Sequence, residues 1–288
     1  VVITRHGRNL FVADSEGGLH YCQFRQNIGY IVCGDRVVWH ATGPETGVVT
    51  ALLPRTSVLA RPDYSGREKP LAANITQLVM VIAPEPEPSG FLLDQYLVTA
   101  ETIGIDALIA VNKIDLLSDD HKPAFLERFD YYRKIGYPVI AISARMERGL
   151  APLIDRLQNQ TSILVGQSGV GKSSLLNSLL PDLEVQVGRL SEATGLGRHT
   201  TSTTTCYELP QGGYLIDSPG VRSFRLLDLS RNQLEQGFRE FRPFLGHCQF
   251  RDCRHRQEPG CAIKAALERG AIDPQRLGNF LLLSENLP

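Results

Sequence analysis

The stretch GQSGVGKSS, residues 166–174, constrains the fold of this chain more than any other. It matches G-x-x-x-x-G-K-[ST] and lies between an apolar run, SILV, and a helical pattern, KSSLLNSLL. A strand, loop and helix in that order call for a mostly parallel sheet with the loop at its carboxyl edge, where such sheets bind ligands. Gly166 and Gly171 allow tight turns, so that the backbone N–H groups through Gln167, Ser168, Gly169 and Val170 face a β-phosphate. Lys172 is expected to reach the β- and γ-phosphates, and the Ser173 hydroxyl to ligate Mg²⁺. Ser174 follows in the first turn of a helix whose positive end points at the phosphates.

A second stretch, NKID at 112–115, follows another apolar run, DALIAV. Asp115 is placed to accept hydrogen bonds from guanine N1–H and the 2-amino group. Adenine offers neither donor, and a buried acceptor left unpaired costs about 1–3 kcal/mol. Asn112 is expected to fix base and loop, the Lys113 stem to pack on the purine face, and Ile114 completes the segment. Further on, ISAR again follows a strand, which puts Ser143 and the Ala144 N–H near guanine O6. YLIDSPG ends one more strand, with Asp217 expected to hold Mg²⁺ through water and the Gly220 N–H to meet the γ-phosphate. In the Gly- and Thr-rich GLGRHTTSTTT, Thr200 or Thr201 is expected to complete the Mg²⁺ shell, Thr201 being preferred.

These are the parts of a GTPase in cyclically shifted order. The base reader, which ordinarily comes last, here precedes the phosphate loop. The ends of such a domain lie close together at the surface, so joining them and cutting elsewhere preserves every contact. The join is expected at QNQ, residues 158–160, and the cut after DSPG. The rest of the chain divides around this domain. Residues 1–53 carry short strand-like runs punctuated by Gly and Asn/Asp/Glu, which suggests a five-stranded barrel of the oligonucleotide-binding (OB) type, with an SH3-like barrel as rival and the domain bounded at 1–68. LPRTSVLARPDYSGREKP reads as a polar linker. Residues 72–226 alternate strands and helices, including one helix over KPAFLERFDYYRKIG, and residues 227–288 read as helical.

Within that last segment Cys248, Cys253, His255 and Cys261 form C-x4-C-x-H-x5-C. Three thiolates and one imidazole suit tetrahedral Zn²⁺, and four protein ligands leave no open position, so the site is structural. His247 is a less convenient alternative ligand, being adjacent to Cys248. Net charge is −1 overall but uneven, at +2 over residues 1–70, −6 over 71–221 and +3 over 222–288. The flanks are rich in Arg, a residue suited to phosphate. Arg239, Arg242, Arg251, Arg254 and Arg256 interleave with Phe241, Phe244 and Phe250, a pattern that suits RNA, or for the Phe residues a small core.

NKID, then GQSGVGKSS, GRHTT, DSPG and the Cys/His cluster, after a segment ending LLPRTSVLARP, resemble the circularly permuted ribosome-biogenesis GTPases of the RsgA (YjeQ) family over essentially the whole chain. The resemblance implies an α/β circularly permuted P-loop GTPase domain between an N-terminal OB-type barrel and a C-terminal helical zinc-binding domain. It implies Mg²⁺-dependent GTP hydrolysis, zinc at the matching cysteines and histidine, and action on the small ribosomal subunit and its rRNA during late maturation. Many GTPases orient the attacking water with Gln just after the switch Gly, but here Val221 stands there and cannot. His199 is the local candidate, with Arg198 a further one for charge stabilisation. A competing expectation is an RNA-binding module whose nucleotide site senses GTP but turns over weakly. No apolar run is long enough for a membrane span and no secretory signal opens the chain, so a cytoplasmic monomer is expected. Residue 1 is Val, so the natural N-terminus is expected upstream.

Overall fold

The structure, a computed structural model, describes residues 1–62, 67–184, 204–217 and 229–285, with positions 186, 188 and 287. Short alternating segments at the N-terminus form β1 (Val2–His6), β2 (Asn9–Ala13), β3 (Leu19–Phe24), β4 (Val37–Gly43) and β5 (Thr46–Leu52). Their order is β1-β2-β3-β5-β4, with β3 and β5 parallel and the other neighbours antiparallel. Val2 exchanges backbone hydrogen bonds with Gly34 and Asp35, each 2.8 Å, which curls the sheet back on itself just before β4. The parallel β3–β5 pair fits an OB-type barrel and not the all-antiparallel SH3-like alternative. Val2, Leu10, Val12, Cys22, Ile31 and Val49 fill its interior.

The segment read as a linker is structured. It folds into an antiparallel pair, β6 (Val58–Pro62) and β7 (Glu68–Ala73). Proline and charge mask its apolar residues, yet Leu59, Ala60, Ala72 and Ala73 are buried. Asn74, at φ 54°, then ties the pair to the barrel, donating to Gly34 O at 3.0 Å and accepting from Thr56 N at 2.9 Å.

Beyond it the continuous apolar run of β8 (Gln77–Ile82), buried at every residue, marks a strand covered on both faces. With β9 (Asp106–Val111), β10 (Val139–Ala141), β11 (Thr161–Val165), β12 (Thr205–Glu208) and β13 (Tyr214–Asp217) it forms a sheet ordered β10-β9-β8-β11-β13-β12, parallel except for β12. One face packs on α1 (Gly90–Ile103), through Leu93, Tyr96, Leu97 and Ala100. The segment expected as a single helix to Gly136 is two, α2 (His121–Glu127) and α3 (Asp130–Lys134). Phe129 N bonds to Leu126 O at 3.1 Å, an i to i−3 bond that tightens the chain and interrupts the α-helical ladder. The other face packs on α4 (Leu150–Leu157) and α5 (Lys172–Leu179) through Leu153, Leu157, Leu175, Leu176 and Leu179. Residues 158–160 join α4 to β11, where the permuted join is expected. Thr4 pairs with Thr205, so β1 of the barrel extends the same sheet past β12.

The C-terminal part comprises α6 (Arg231–Gly237), a 3-10 helix (Arg239–Phe244), α7 (Ala262–Glu268) and α8 (Pro274–Glu285). Phe238, Phe241 and Phe280 pack with centroids 5.0–5.5 Å apart, and Val98 of α1 joins their core. α1 is therefore buried on two sides. Below Val98, Arg276 of α8, 1% exposed, donates to both Glu240 oxygens at 2.6 and 2.9 Å and to Asp94 Oδ1 of α1 at 2.6 Å. Asp94 also accepts from Tyr132 Oη and Asn279 Nδ2. Burial pushes the Asp94 carboxyl above its ordinary range even with Arg276 beside it. Removing one partner of such a buried set strands the others, at a cost of about 3–5 kcal/mol. Arg276→Ala should lower unfolding stability by that amount in urea titrations, whereas R256A, which removes an exposed partner of Glu285, should change it by less than about 1 kcal/mol.

Candidate nucleotide site and metal centre

Parallel pairing brings the carboxyl ends of β8, β9, β10 and β11 to one edge, and with them NKID, the SA loop and GQSGVGKSS. A single buried side chain ties the three together. Asn112, 1% exposed, donates from Nδ2 to Val170 O at 3.0 Å and accepts at Oδ1 from Ala144 N at 3.0 Å. The Ala144 N–H, expected at guanine O6, donates to Asn112 Oδ1 in this structure. Gly171, at φ +91°, is required here, because a Cβ would come within 2.5 Å of Asn112 Nδ2. Gly166, at φ +140°, is required for a similar reason, since its Cβ would meet Val81 O at 2.1 Å.

Asp115 is exposed, and its Oδ1 accepts from the buried Ser143 Oγ. That leaves the carboxylate oriented at the edge. Ser143 and Arg148 exchange backbone bonds at 2.9 and 3.1 Å, which closes the loop carrying Ala144. Lys113, at φ 59°, runs its stem beside Gly171, with Cε 3.7 Å from where a Cβ would lie, and donates from Nζ to Glu85 O at 3.0 Å. Lys172 Nζ folds onto its own loop, donating to Gly166 O at 2.8 Å and Gln167 O at 2.6 Å. Ser168, Gly169, Ser173 and Ser174 are exposed along the loop and the first turn of α5, while Val170 is buried. Ile114 opens a 3-10 turn that presents Asp115. Asp217 ends β13, three strands from β9, which delivers NKID, and next to β11. Thr200, Thr201, Gly220, Val221, Arg198 and His199 lie outside the described residues.

The cysteine cluster assembles as expected. The ligand atoms of Cys248, Cys253, His255 and Cys261 all lie within 4.8 Å of one another. His255 Nδ1 is 3.6 Å from Cys248 Sγ, 3.6 Å from Cys253 Sγ and 3.3 Å from Cys261 Sγ. Tetrahedral Zn²⁺, with bonds of about 2.3 Å to S and 2.0 Å to N, has edges of roughly 3.5–3.8 Å, so the donor set fits. The Ala262 N–H points at Cys248 Sγ from 3.4 Å, a donor suited to a thiolate. On the far side of the imidazole, Glu235 Oε1 lies 3.3 Å from Nε2, the carboxylate expected behind a zinc-bound histidine. Glu235 is not legible in the sequence, because it stands on α6, upstream of the turns that carry the ligands.

The arginines around the cluster divide. Arg239 and Arg242 are engaged by Glu101 of α1, so they hold the C-terminal part against α1. Arg251 and Arg254 line an open cleft of about 780 Å³ with Phe250, which is 44% exposed. Phe241 is fully buried and Phe244 packs against the core, so those two are structural.

Sheet order, glycine-dependent phosphate loop and NKID edge define a circularly permuted P-loop GTPase. The comparisons agree. The RsgA GTPase family model matches residues 52–227. The chain is 50% identical over 292 residues to the small ribosomal subunit biogenesis GTPase RsgA of Chromohalobacter salexigens, covering 99% of this chain and 85% of that protein. It is 49% identical over 294 residues to that of Dickeya dadantii, covering 100% and 84%. YjeQ from Thermotoga maritima superposes with a TM-score of 0.81 at 31% identity, covering 99% of this chain and 96% of that one. YloQ, described as a circularly permuted GTPase, gives 0.77 at 29%, covering 99% and 93%. The chain belongs to the RsgA GTPase family, and is a GTP-hydrolysing enzyme that uses Mg²⁺ with its nucleotide. The weakly catalytic RNA-binding module finds no support in these relatives. Among the described residues no helix is long and apolar enough to cross a membrane.

Proposed function

We propose that this chain is a ribosome-assembly GTPase that binds the small ribosomal subunit in its GTP form during late maturation and leaves after hydrolysis. The relatives named above are called small ribosomal subunit biogenesis GTPases, which supports the small subunit as the partner. The observation that carries the nucleotide assignment is Asn112, which locks base-reading loop, SA loop and phosphate loop into one edge. In this reading Asp115 and the Lys113 stem recognise guanine, with Ser143 orienting the carboxylate. Residues 166–174 hold the phosphates, and Lys172 exchanges its loop carbonyls for phosphate oxygens. Ser173, Thr201 and Asp217 hold Mg²⁺, which when bound neutralises charge between the β- and γ-phosphates. The Gly220 N–H meets the γ-phosphate and His199 positions water in place of the missing Gln. Barrel and zinc domain grip rRNA, and the protein acts as a cytoplasmic monomer.

Phosphate release measured with purified subunits tests this. Small subunits should accelerate turnover at least about tenfold and large subunits should not; equal turnover with either would reject the partner. His199→Ala should slow single-turnover hydrolysis on small subunits by about a hundredfold with nucleotide affinity little changed. Unaltered hydrolysis would dismiss that role.

A further inference from the structure

Residues 83–88, APEPEP, run from β8 to α1 and belong to none of the recognised motifs. β8 stands between β9, which delivers NKID, and β11, which delivers the phosphate loop, so its carboxyl end touches both. Ile82 O accepts the Asn112 N–H at 2.7 Å, and Val81 O lies 2.1 Å from where a Cβ of Gly166 would fall. The contacts continue past the strand. Glu85 O accepts from Lys113 Nζ at 3.0 Å, and the Pro86 ring reaches Gly169, where a Cβ would lie 3.7 Å from Pro86 Cδ. Between these two points the Lys113 stem crosses Gly171, with Cε 3.7 Å from a Cβ there. Both ends of the segment are fixed. β8 is buried at every residue, and the Ser89 hydroxyl caps α1 by accepting from Leu92 N at 3.2 Å. Pro84, Pro86 and Pro88 lock φ at every second position, which leaves the segment few other shapes. Its two glutamates carry the wrong charge for a phosphate ligand, and Glu87 pairs with Arg128 instead. What the segment offers a nucleotide site is therefore its backbone.

We propose that residues 83–88 are a spacer that sets the guanine reader and the phosphate loop at the separation a guanine nucleotide needs, with the Glu85 carbonyl as the positioning group that holds Lys113 across the gap. A lysine stem is costly to order, because it has many rotamers. A hydrogen bond at its far end keeps it extended before the base arrives, so binding need not order it. The stem then presents an apolar edge to the purine beside the phosphate loop. Lys172 behaves differently, since it must leave the carbonyls of Gly166 and Gln167 to reach phosphate. The bond from Lys113 to Glu85 uses neither the base edge nor the phosphates, and it can persist through the cycle.

The inference rests on the assignment of residues 112–115 as the base reader and 166–174 as the phosphate loop. The test uses the full chain, zinc-loaded, with a fluorescent N-methylanthraniloyl GDP. Lys113→Met keeps the length of the stem and removes Nζ. Glu85→Gly keeps the carbonyl but frees the backbone that aims it. Each should raise the GDP dissociation rate about 3–10-fold, the range that one hydrogen bond supports. Because Glu85 acts through Lys113, the double variant should release GDP no faster than the faster single variant. Rates that multiply in the double variant overturn the proposal, since a merely structural role for Glu85 would add to the loss of Nζ. A Glu85→Gly rate equal to that of the unaltered chain overturns it as well. Arg128→Ala breaks only the exposed pair with Glu87 and should leave the rate unchanged. A rise there as large as in Glu85→Gly would put the effect in that tether and reject the carbonyl. The underlying reading is tested separately. If Lys172→Ala retains nucleotide as well as the unaltered chain, the phosphate-loop assignment fails, whatever residues 83–88 do.

Discussion

Asp115→Asn should turn a guanine binder into a xanthine binder, with affinity for GDP falling by about a hundredfold or more and XDP replacing it. The carboxylate accepts from guanine N1–H and the 2-amino group; an amide offers one donor and one acceptor, so it leaves one guanine donor opposed. Hydrogen bonds to a charged group contribute about 1.5–3 kcal/mol each, and each 1.4 kcal/mol is tenfold in affinity. Xanthine carries a carbonyl at position 2, which the new amide N–H matches. The Ser143 hydroxyl that accompanies Asp115 can serve Asn equally, so the loop should keep its shape. Competition between GDP and XDP for the fluorescent nucleotide reads the switch. A variant that still prefers GDP would place the base elsewhere than at NKID.

Stripping zinc should unfold the C-terminal part while leaving the sheet folded. One equivalent of zinc per chain is expected, and C253S should abolish it. The cluster is built into a small core, with Cys253 and Cys261 packed among Phe238, Phe280 and Ile263. Without the cation, burial pushes the Cys253 thiol up to about 12, so this ligand is protonated at neutral pH and zinc must displace its proton. Structural zinc contributes on the order of 10–16 kcal/mol in small zinc domains, more than a whole domain's net stability. Metal release by a chromogenic chelator, followed by hydrogen exchange over residues 229–285, checks this. Retained protection of α8 after complete zinc loss would show that the phenylalanine core and the Arg276 network suffice without metal. Protection should persist in β8, β9 and β11, whose cores on both faces are made largely by α1, α4 and α5.

Much of this was legible in the primary chain because local chemistry allowed few alternatives. Gly166, Gly171 and Lys172 at that spacing, between an apolar run and a helix, determine a phosphate loop by themselves. Asp115 reads as a guanine reader once it follows a strand, and three cysteines with a histidine read as a four-coordinate soft-metal site. Their order determines a permuted sheet, since parallel strands deliver all these loops to one edge whichever end the chain starts from. The β6–β7 pair was hidden because Pro and charged residues surround the few small apolar ones it buries. The fate of the Ala144 N–H, the Glu235 carboxylate behind His255, the diversion of Arg239 and Arg242 to Glu101, and the double burial of α1 depend on contacts between residues far apart in the chain. A helix covered on two sides shows no single apolar stripe, and a buried charge looks like a surface charge until its partner arrives from a distant part of the chain. Only packing in three dimensions decides which of those pairings forms, because burial sets the cost of leaving each group alone.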